Sequence, residues 1–354
     1  MKTPGRNFIK AFAKLLIVLI LIPEIFPVTT LAQPLQTGDS KQNKKYAYSF
    51  KSLSRKTDTD RMQKGLFYLS QDLPRRVLNW SVPGHNLSSL EEADQWLIQQ
   101  LTGYGYQPEK DATQVRAFGR DLTKPLAHQY AAPPEDAPWF TACNIIAERP
   151  GKTNPDDLIV VIAHKDSQSW IASPGANDNA IGTCGALELA YLLRRFKPDH
   201  TIRFIFCNEE HTPWTSVTAA ENIKSAGKDV LAAINLDGIG VKSPQQAGHL
   251  TNVTRFTTPE GEKLADLMDR LNTFHSLKLV QSKYRSEHPG DDDGSFINAG
   301  FPWAVLNIGS MPYADPNYHL ETDTPDKVDI KNAELTVRLT LAAILYLDTF
   351  GRPD

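Results

Sequence analysis

Five short segments carry the residues able to do chemistry. They are Ala163-His164-Lys165-Asp166-Ser167, Gly175-Ala176-Asn177-Asp178-Asn179, Asn208-Glu209-Glu210-His211, Asn235-Leu236-Asp237-Gly238, and Tyr318-His319 followed by Glu321-Thr322-Asp323-Thr324. Each offers an imidazole or a carboxylate, and most come just after a run that reads as a strand. Two imidazoles and three carboxylates can hold two zinc ions if the fold brings them together. The chemistry open to such a centre is hydrolysis by a metal-activated water.

The segments need a scaffold that gathers them. Residues 158–163 form a continuous apolar run of strand length, and 140–147, 201–207, 230–236 and 302–308 read the same way. Strands apolar throughout belong to sheets covered on both faces. Helical patterns alternate with them at 180–196, 215–226 and 259–274, and an amphipathic helix over 330–349 closes the chain, with Leu335, Leu339, Ala342 and Tyr346 on one stripe. Further upstream, 57–73 looks helical, 114–119 reads as a short strand, and Ser88 to Glu91 makes a capping box before a helix that stops at Gly103. The alternation predicts an α/β fold, a three-layer α/β/α sandwich with a mostly parallel, mixed central sheet. Ligands in such sheets gather beyond the carboxyl ends of the strands. His164 ends one strand, Glu209 and Glu210 follow the next, and Asp237 follows a third. Asp178 precedes a helix and His319 follows the last strand. If the strand continues past His164, Asp166 shares its face and Lys165 points away. A carboxylate beside a metal-bound imidazole orients it, so Asp166 is expected to hold His164 rather than bind metal.

These segments resemble those of the M28 family of zinc peptidases, of the co-catalytic aminopeptidase type. That family carries a His-x-Asp-Ser segment, an Asn-Asp-Asn segment before a helix, a Glu-Glu pair, an Asn-Leu-Asp segment and a late Tyr-His before an Asp-Thr. All five are present here in that order, and the resemblance covers roughly residues 140–328. It implies the zinc-exopeptidase (phosphorylase/hydrolase-like) fold and two zinc ions. Asp178 would bridge the metals, His164 and Asp237 would complete one site, and Glu210 and His319 the other. Glu209 would be the general base, and a cis peptide would follow the bridging aspartate, at Asp178–Asn179. A loop tyrosine donates to the oxyanion in some members, which points to Tyr313. Two zincs would bring four positive charges, balanced by three carboxylates and one bridging hydroxide, so the centre is neutral and tolerates partial burial.

Several residues have plainer readings. His211 follows the Glu pair, but His319 already supplies that imidazole. Asp291-Asp292-Asp293 is either a calcium-like cluster or an acidic turn. Relatives often read Ser-Asp-His before an aromatic in this stretch, which matches Asp292 to the Asp and puts Asp293 where His is common. Lys165 stands where relatives often carry an aromatic, and is expected to alter packing behind the site. Trp214 is expected to pack rather than wall a pocket. The three cysteines, Cys143, Cys184 and Cys207, sit in apolar stretches with no CxxC, and are expected to be buried thiols.

The N-terminus reads as a secretory signal peptide over residues 1–32, with Lys2, Arg6, Lys10 and Lys14 before an apolar run at 15–22 and Thr30-Leu31-Ala32 as the cleavage site. The run is too short to span a bilayer, so no stable membrane association is expected after cleavage. Residues 33–50 are polar and read as a flexible leader, followed by a single zinc peptidase domain over 51–354 with a helical N-terminal part. Formal charge is −3, near −6 once the signal is gone, and no basic patch is present, which argues against a nucleic-acid partner. The expectation is an exported, periplasmic or secreted, dizinc exopeptidase acting on peptides, foremost an aminopeptidase. Alternatives are a carboxypeptidase or dipeptidase of the same family, with Lys283 and Arg285 as candidate cations, a glutaminyl cyclase with one zinc, and a non-catalytic binding protein on the same scaffold.

Overall fold

The polar start of the domain folds into helix. In this computed structural model, residues 40–310 and 314–354 are described, and all of them fall within one compact unit. Helix α1 (Ser40–Ser54) turns Tyr46 and Phe50 inward, to 1% and 7% exposure. The expected flexible leader is therefore corrected: residues 40–50 are part of the folded body, because two aromatic side chains four apart share one helix face and find the core. The rest of that leader and the signal segment lie outside the described residues. No described helix is long and apolar enough to cross a membrane.

Tyr46 donates to or accepts from His275 Nε2 at 2.8 Å, and the Phe50 ring stacks on the same imidazole at 3.7 Å. Burial lowers the His275 pKa to about 4. The folded state therefore holds fewer protons than the unfolded chain between about pH 6.5 and 4, and stability falls as pH drops through that window. Allowing for partial exposure, the loss is on the order of 1–2 kcal/mol. Urea unfolding of the wild type and His275→Phe at pH 7 and pH 4 should show the wild type losing that much relative to the variant. A pH-independent difference between them refutes the assignment.

Helix α2 (Thr59–Phe67) is capped by the Asp58 carboxylate on Asp60 N and Arg61 N. Helix α3 (Ser89–Gly103) starts at the Ser88–Glu91 capping box. Then come β1 (Glu109–Ala117), a hairpin of β2 (Gly119–Arg120) and β3 (Tyr130–Ala131), β4 (Phe140–Arg149), β5 (Asn154–His164), α4 (Ile181–Leu193), β6 (His200–Cys207), β7 (His211–Thr212), α5 (Thr215–Ser225) and β8 (Asp229–Leu236). The chain closes with β9 (Thr251–Phe256), α6 (Pro259–Phe274), β10 (Val280–Arg285), α7 (Asp291–Ala299), β11 (Ala304–Ile308) and α8 (Ile330–Phe350).

Nine strands form one sheet in the order β10-β9-β11-β8-β5-β6-β4-β1-β7. The centre, β11-β8-β5-β6, is parallel, and β4, β1 and β7 add antiparallel strands at one edge. Along β5, Ile159, Val161 and Ala163 face one core, and Leu158, Val160 and Ile162 face the other. That period of two buries both faces. Helices α1, α2, α3, α4, α6 and α8 cover one face, and α5 and α7 the other. Helix α8 is more than amphipathic: contacts with α1, α4, α6 and the sheet bury nearly every side of it. The parallel centre sends the ends of β5, β6 and β8 to one edge, which is where the chemistry collects.

Candidate metal centre

His164 is the last residue of β5, Asp237 follows β8, and Glu209 and Glu210 follow β6. Asp178 lies in the turn that leads into α4, and the Asp178–Asn179 peptide is cis. His319 comes from the loop after β11. Two groups of potential metal donors result, His164–Asp178–Asp237 and Asp178–Glu210–His319, all buried. Asp178 belongs to both. Its Oδ1 is 3.1 Å from His164 Nε2, and its Oδ2 is 3.2 Å from His319 Nε2. Asp237 Oδ1 stands 3.6 Å from His164 Nε2, and Glu210 Oε1 stands 3.4 Å from His319 Nε2. Four ligands arranged tetrahedrally at zinc bond lengths are spaced about 3.3 Å apart. The four imidazole–carboxylate separations lie close to that spacing, and all donor atoms of each group fall within 4.8 Å of one another.

The electrostatics agree with that fit. Burial pushes Asp237 up to about 7 and raises Glu210, because these carboxylates are crowded away from water. Burial opposes ionisation of Asp178 as well, but His164 and His319 overcome it and hold this carboxyl well below the usual range. A cluster of buried carboxylates sharing two imidazoles is one that divalent cations relieve.

Both imidazoles are oriented from behind. Ala127 O, in the hairpin between β2 and β3, accepts from His319 Nδ1 at 2.9 Å, leaving Nε2 to face the donors. Trp170 and Tyr130 meet the same ring edge-on at 5.1 and 5.9 Å. His164 Nδ1 faces Asp166 Oδ1 at 3.3 Å. Asp166 does more than orient His164. It also accepts from His211 Nδ1 at 2.8 Å and from the backbone N–H groups of Glu209 and Glu210, both at 2.9 Å. Burial alone would raise its pKa, yet the His164 and His211 rings hold it well below the usual carboxylate range. One carboxylate therefore sets the ring of His164 and the backbone that carries Glu209 and Glu210. His211 sits behind this carboxylate and outside both donor groups.

Glu209 is half-buried, and its Oε2 has no hydrogen-bond partner. Burial, then Asp292 and Asp291, push its carboxyl well above the ordinary value. Asp291, Asp292 and Asp293 form the first turn of α7. Arg255 pairs with Asp291 and Asp293, and Cys207 Sγ donates to Asp292 Oδ2 at 3.0 Å. They are not among the donor groups found in the described residues, so the calcium-like reading has no support here. Tyr313 lies outside the described residues. Lys283 pairs with Glu262 and Asp266 on the surface, 3.0 and 2.8 Å away. Cys184 and Cys207 are buried and Cys143 half-buried, all three free, with burial raising each thiol.

Four residues support the centre, and two of them, Arg76 and Gly182, carry no signal in the sequence. Asp323 accepts from the backbone N–H groups of Asn177 and Asp178 at 2.8 and 3.0 Å, fixing the turn that presents Asp178. Arg76, fully buried, donates to the carbonyls of Leu69, Lys165, Pro174 and Gly175 at 2.6–2.8 Å. Lys165 is also fully buried, paired with Asp94 of α3 at 2.8 Å and donating to Asn208 Oδ1 at 2.7 Å. Through these contacts α3 and the loop before it hold the chain after His164 and the residue before Glu209. Gly182 is required by space: a Cβ there would collide with Leu236 O and with the Asn179 side chain that ties the turn to β8. The signal that could have found Arg76 and Asp94 is absent from their own neighbourhoods, since both act on segments about 70–100 residues away.

The sequence model of Peptidase family M28 matches residues 144–344. A probable aminopeptidase of Saccharomyces cerevisiae is 28% identical over 223 residues, which is 59% of this chain and 58% of the relative. This chain spans about three fifths of the length of the curated relatives it matches. Among solved structures, a zinc aminopeptidase from Bacillus subtilis has 16% identity and a TM-score of 0.63, covering 82% of this chain and 95% of that one. The Bacteroides thetaiotaomicron glutaminyl cyclase has 18% identity and a TM-score of 0.62, covering 82% and 98%. At such identities these two likenesses bear on the fold.

Proposed function

The chain belongs to peptidase family M28, and from that membership we propose that it is a dizinc aminopeptidase that releases N-terminal residues from peptides. The observation that carries the reading is the pair of buried donor groups joined through the two oxygens of Asp178. His164 and Asp237 would hold one zinc, Glu210 and His319 the other, and Asp178 both. Zinc held there would supply Lewis acidity and make a water acidic at neutral pH. Glu209 would take the proton of the attacking water at Oε2 and deliver it to the amine as the C–N bond breaks. Its raised carboxyl pKa suits delivery of the proton to the amine, and the first half needs the ionised form. Asp166 would keep Glu209 and His164 in register throughout. Tyr313 is proposed as the donor to the developing oxyanion.

Support for the amino end comes from the surroundings. A small pocket beside Asp178 and Asp237 is walled by Val241, Ile308 and Tyr318, and Asp315 supplies its further charge. Asp315, the carboxylate of that lining outside both donor groups, suits an α-ammonium group, and a carboxypeptidase needs a cation there instead. The curated relative's name points the same way. Export by the N-terminal segment is part of the proposal, which places the activity on peptides outside the cytoplasm.

The test is hydrolysis of a panel of amino-acid p-nitroanilides by the mature protein, with and without chelator and added zinc. Chelator-sensitive release that zinc restores, absent from N-acetylated substrates, is expected. Cleavage of N-blocked peptides alone would replace this reading with a carboxypeptidase or an endopeptidase. Cyclisation of an N-terminal glutamine peptide without hydrolysis would replace it with the cyclase.

A further inference from the structure

Gln168 lies four residues past the end of β5, two after Asp166, and its side chain is fully buried. The end of that side chain enters the second donor group. Its Nε2 lies 2.7 Å from Glu210 Oε1 and 3.0 Å from Asp178 Oδ2. Those two oxygens are the ones that stand 3.4 and 3.2 Å from His319 Nε2. The tip of Gln168 thus stands at hydrogen-bond distance from two of the three donors of this group. The other end of the amide, Oε1, is buried with no hydrogen-bond partner. A half-turn of the amide therefore breaks no hydrogen bond of Oε1, and the N–H₂ end gives up its two carboxylate oxygens only where a cation takes them.

A carboxamide exchanges its two ends by a half-turn within the same volume. With the N–H end inward, Gln168 neutralises two carboxylate oxygens. With a divalent cation among those oxygens, an N–H dipole pointing at it is repelled and a carbonyl oxygen is attracted. We infer that Gln168 is a further ligand of the Asp178–Glu210–His319 site, through its side-chain oxygen. This rests on the two-metal reading above. It makes the two sites unequal: Gln168 reaches Glu210 Oε1 and Asp178 Oδ2, so the second site carries one more oxygen donor. An added oxygen favours harder and higher-coordinate ions, so the Gln168 site should accept manganese or cobalt more readily than the other.

The test uses the full mature protein stripped of metal, as wild type, Gln168→Met and Gln168→Glu. Met keeps the length of the side chain and removes the oxygen; Glu replaces it with a charged one. Zinc is titrated against a chromophoric chelator, and cobalt is followed by visible absorption. The wild type should take up two ions. Gln168→Met should bind one ion as the wild type does and the other at least tenfold more weakly. Its cobalt bands should intensify, because lower-coordinate cobalt absorbs more strongly. Gln168→Glu should tighten that same site. Unchanged affinities and spectrum in Gln168→Met overturn the inference, as does equal weakening of both sites. Should Gln168→Met not fold, weaker binding by Gln168→Glu overturns it alone. A wild type that binds fewer than two ions refutes the two-metal reading itself, and is distinguishable because it needs no variant.

Discussion

Glu209→Gln should lower kcat by roughly 10^3–10^4-fold while leaving the metal content unchanged. The substitution keeps the size of the side chain and removes only its ability to take a proton. Neither donor group includes Glu209, so nothing in the metal centre loses a ligand. The backbone N–H of Glu209 still donates to Asp166, so the loop that carries Glu210 stays in place. Its Oε2 has no partner of its own, so an amide there disturbs no existing hydrogen bond. Substrate affinity should be nearly unchanged, because proton transfer belongs to the transition state. The measurements are kcat and KM on the best p-nitroanilide, with zinc counted by atomic absorption on the same sample. Turnover within tenfold of the wild type would remove Glu209 from the mechanism. Loss of zinc alongside loss of turnover would show that it acts on the metals instead.

Asp178→Asn should cost both metals at once, with activity down by roughly 10^4-fold or more, since the activated water goes with them. Each carboxylate oxygen of Asp178 serves a different donor group. An amide keeps one oxygen and turns an N–H₂ toward the other imidazole, so one site loses a ligand and gains a repulsive neighbour. The lost negative charge weakens the remaining site. Asp237→Asn differs, because Asp237 belongs to one group; its zinc content should fall to about one. Folding stability should follow. A metal present at 100 times its dissociation constant adds about 2.7 kcal/mol per site. Chelator should therefore lower the wild-type Tm and leave that of Asp178→Asn unmoved. Two zincs per chain in Asp178→Asn would rule out the bridge.

Much of the architecture was legible because its signals are local. The central strands are short apolar runs rich in Val, Ile and Phe, and their length and β-branched content mark them as strands buried on both faces. The capping box at Ser88 and the proline-led helix α6 carry their own start signals. Strand β9 carried none: Thr251, Asn252, Thr254 and Arg255 are polar yet buried. They are tolerable inside because Asn307, Gln281 and Asn332 reach them from β11, β10 and α8, and no neighbour in the chain announces those partners. Helix α1 was misread for a similar reason. Its polar composition hides two aromatic residues whose partners, His275 and α8, lie more than 200 residues away.

Residue types and their spacing are enough to identify which side chains can take part in the chemistry and the chain order in which the strands deliver them. Side-chain type and strand period are local properties, and they are enough to put His164, Glu209, Glu210 and Asp237 at one sheet edge. Long-range packing supplied the rest. It aimed His319 Nε2 inward by way of Ala127 O and tied Asp166 to His211. It braced the site with Arg76 and Asp94. It also brought the tip of Gln168 to the donors. The physical reason is that a buried polar group must be satisfied wherever it sits, and its partner is chosen by the packing of distant elements.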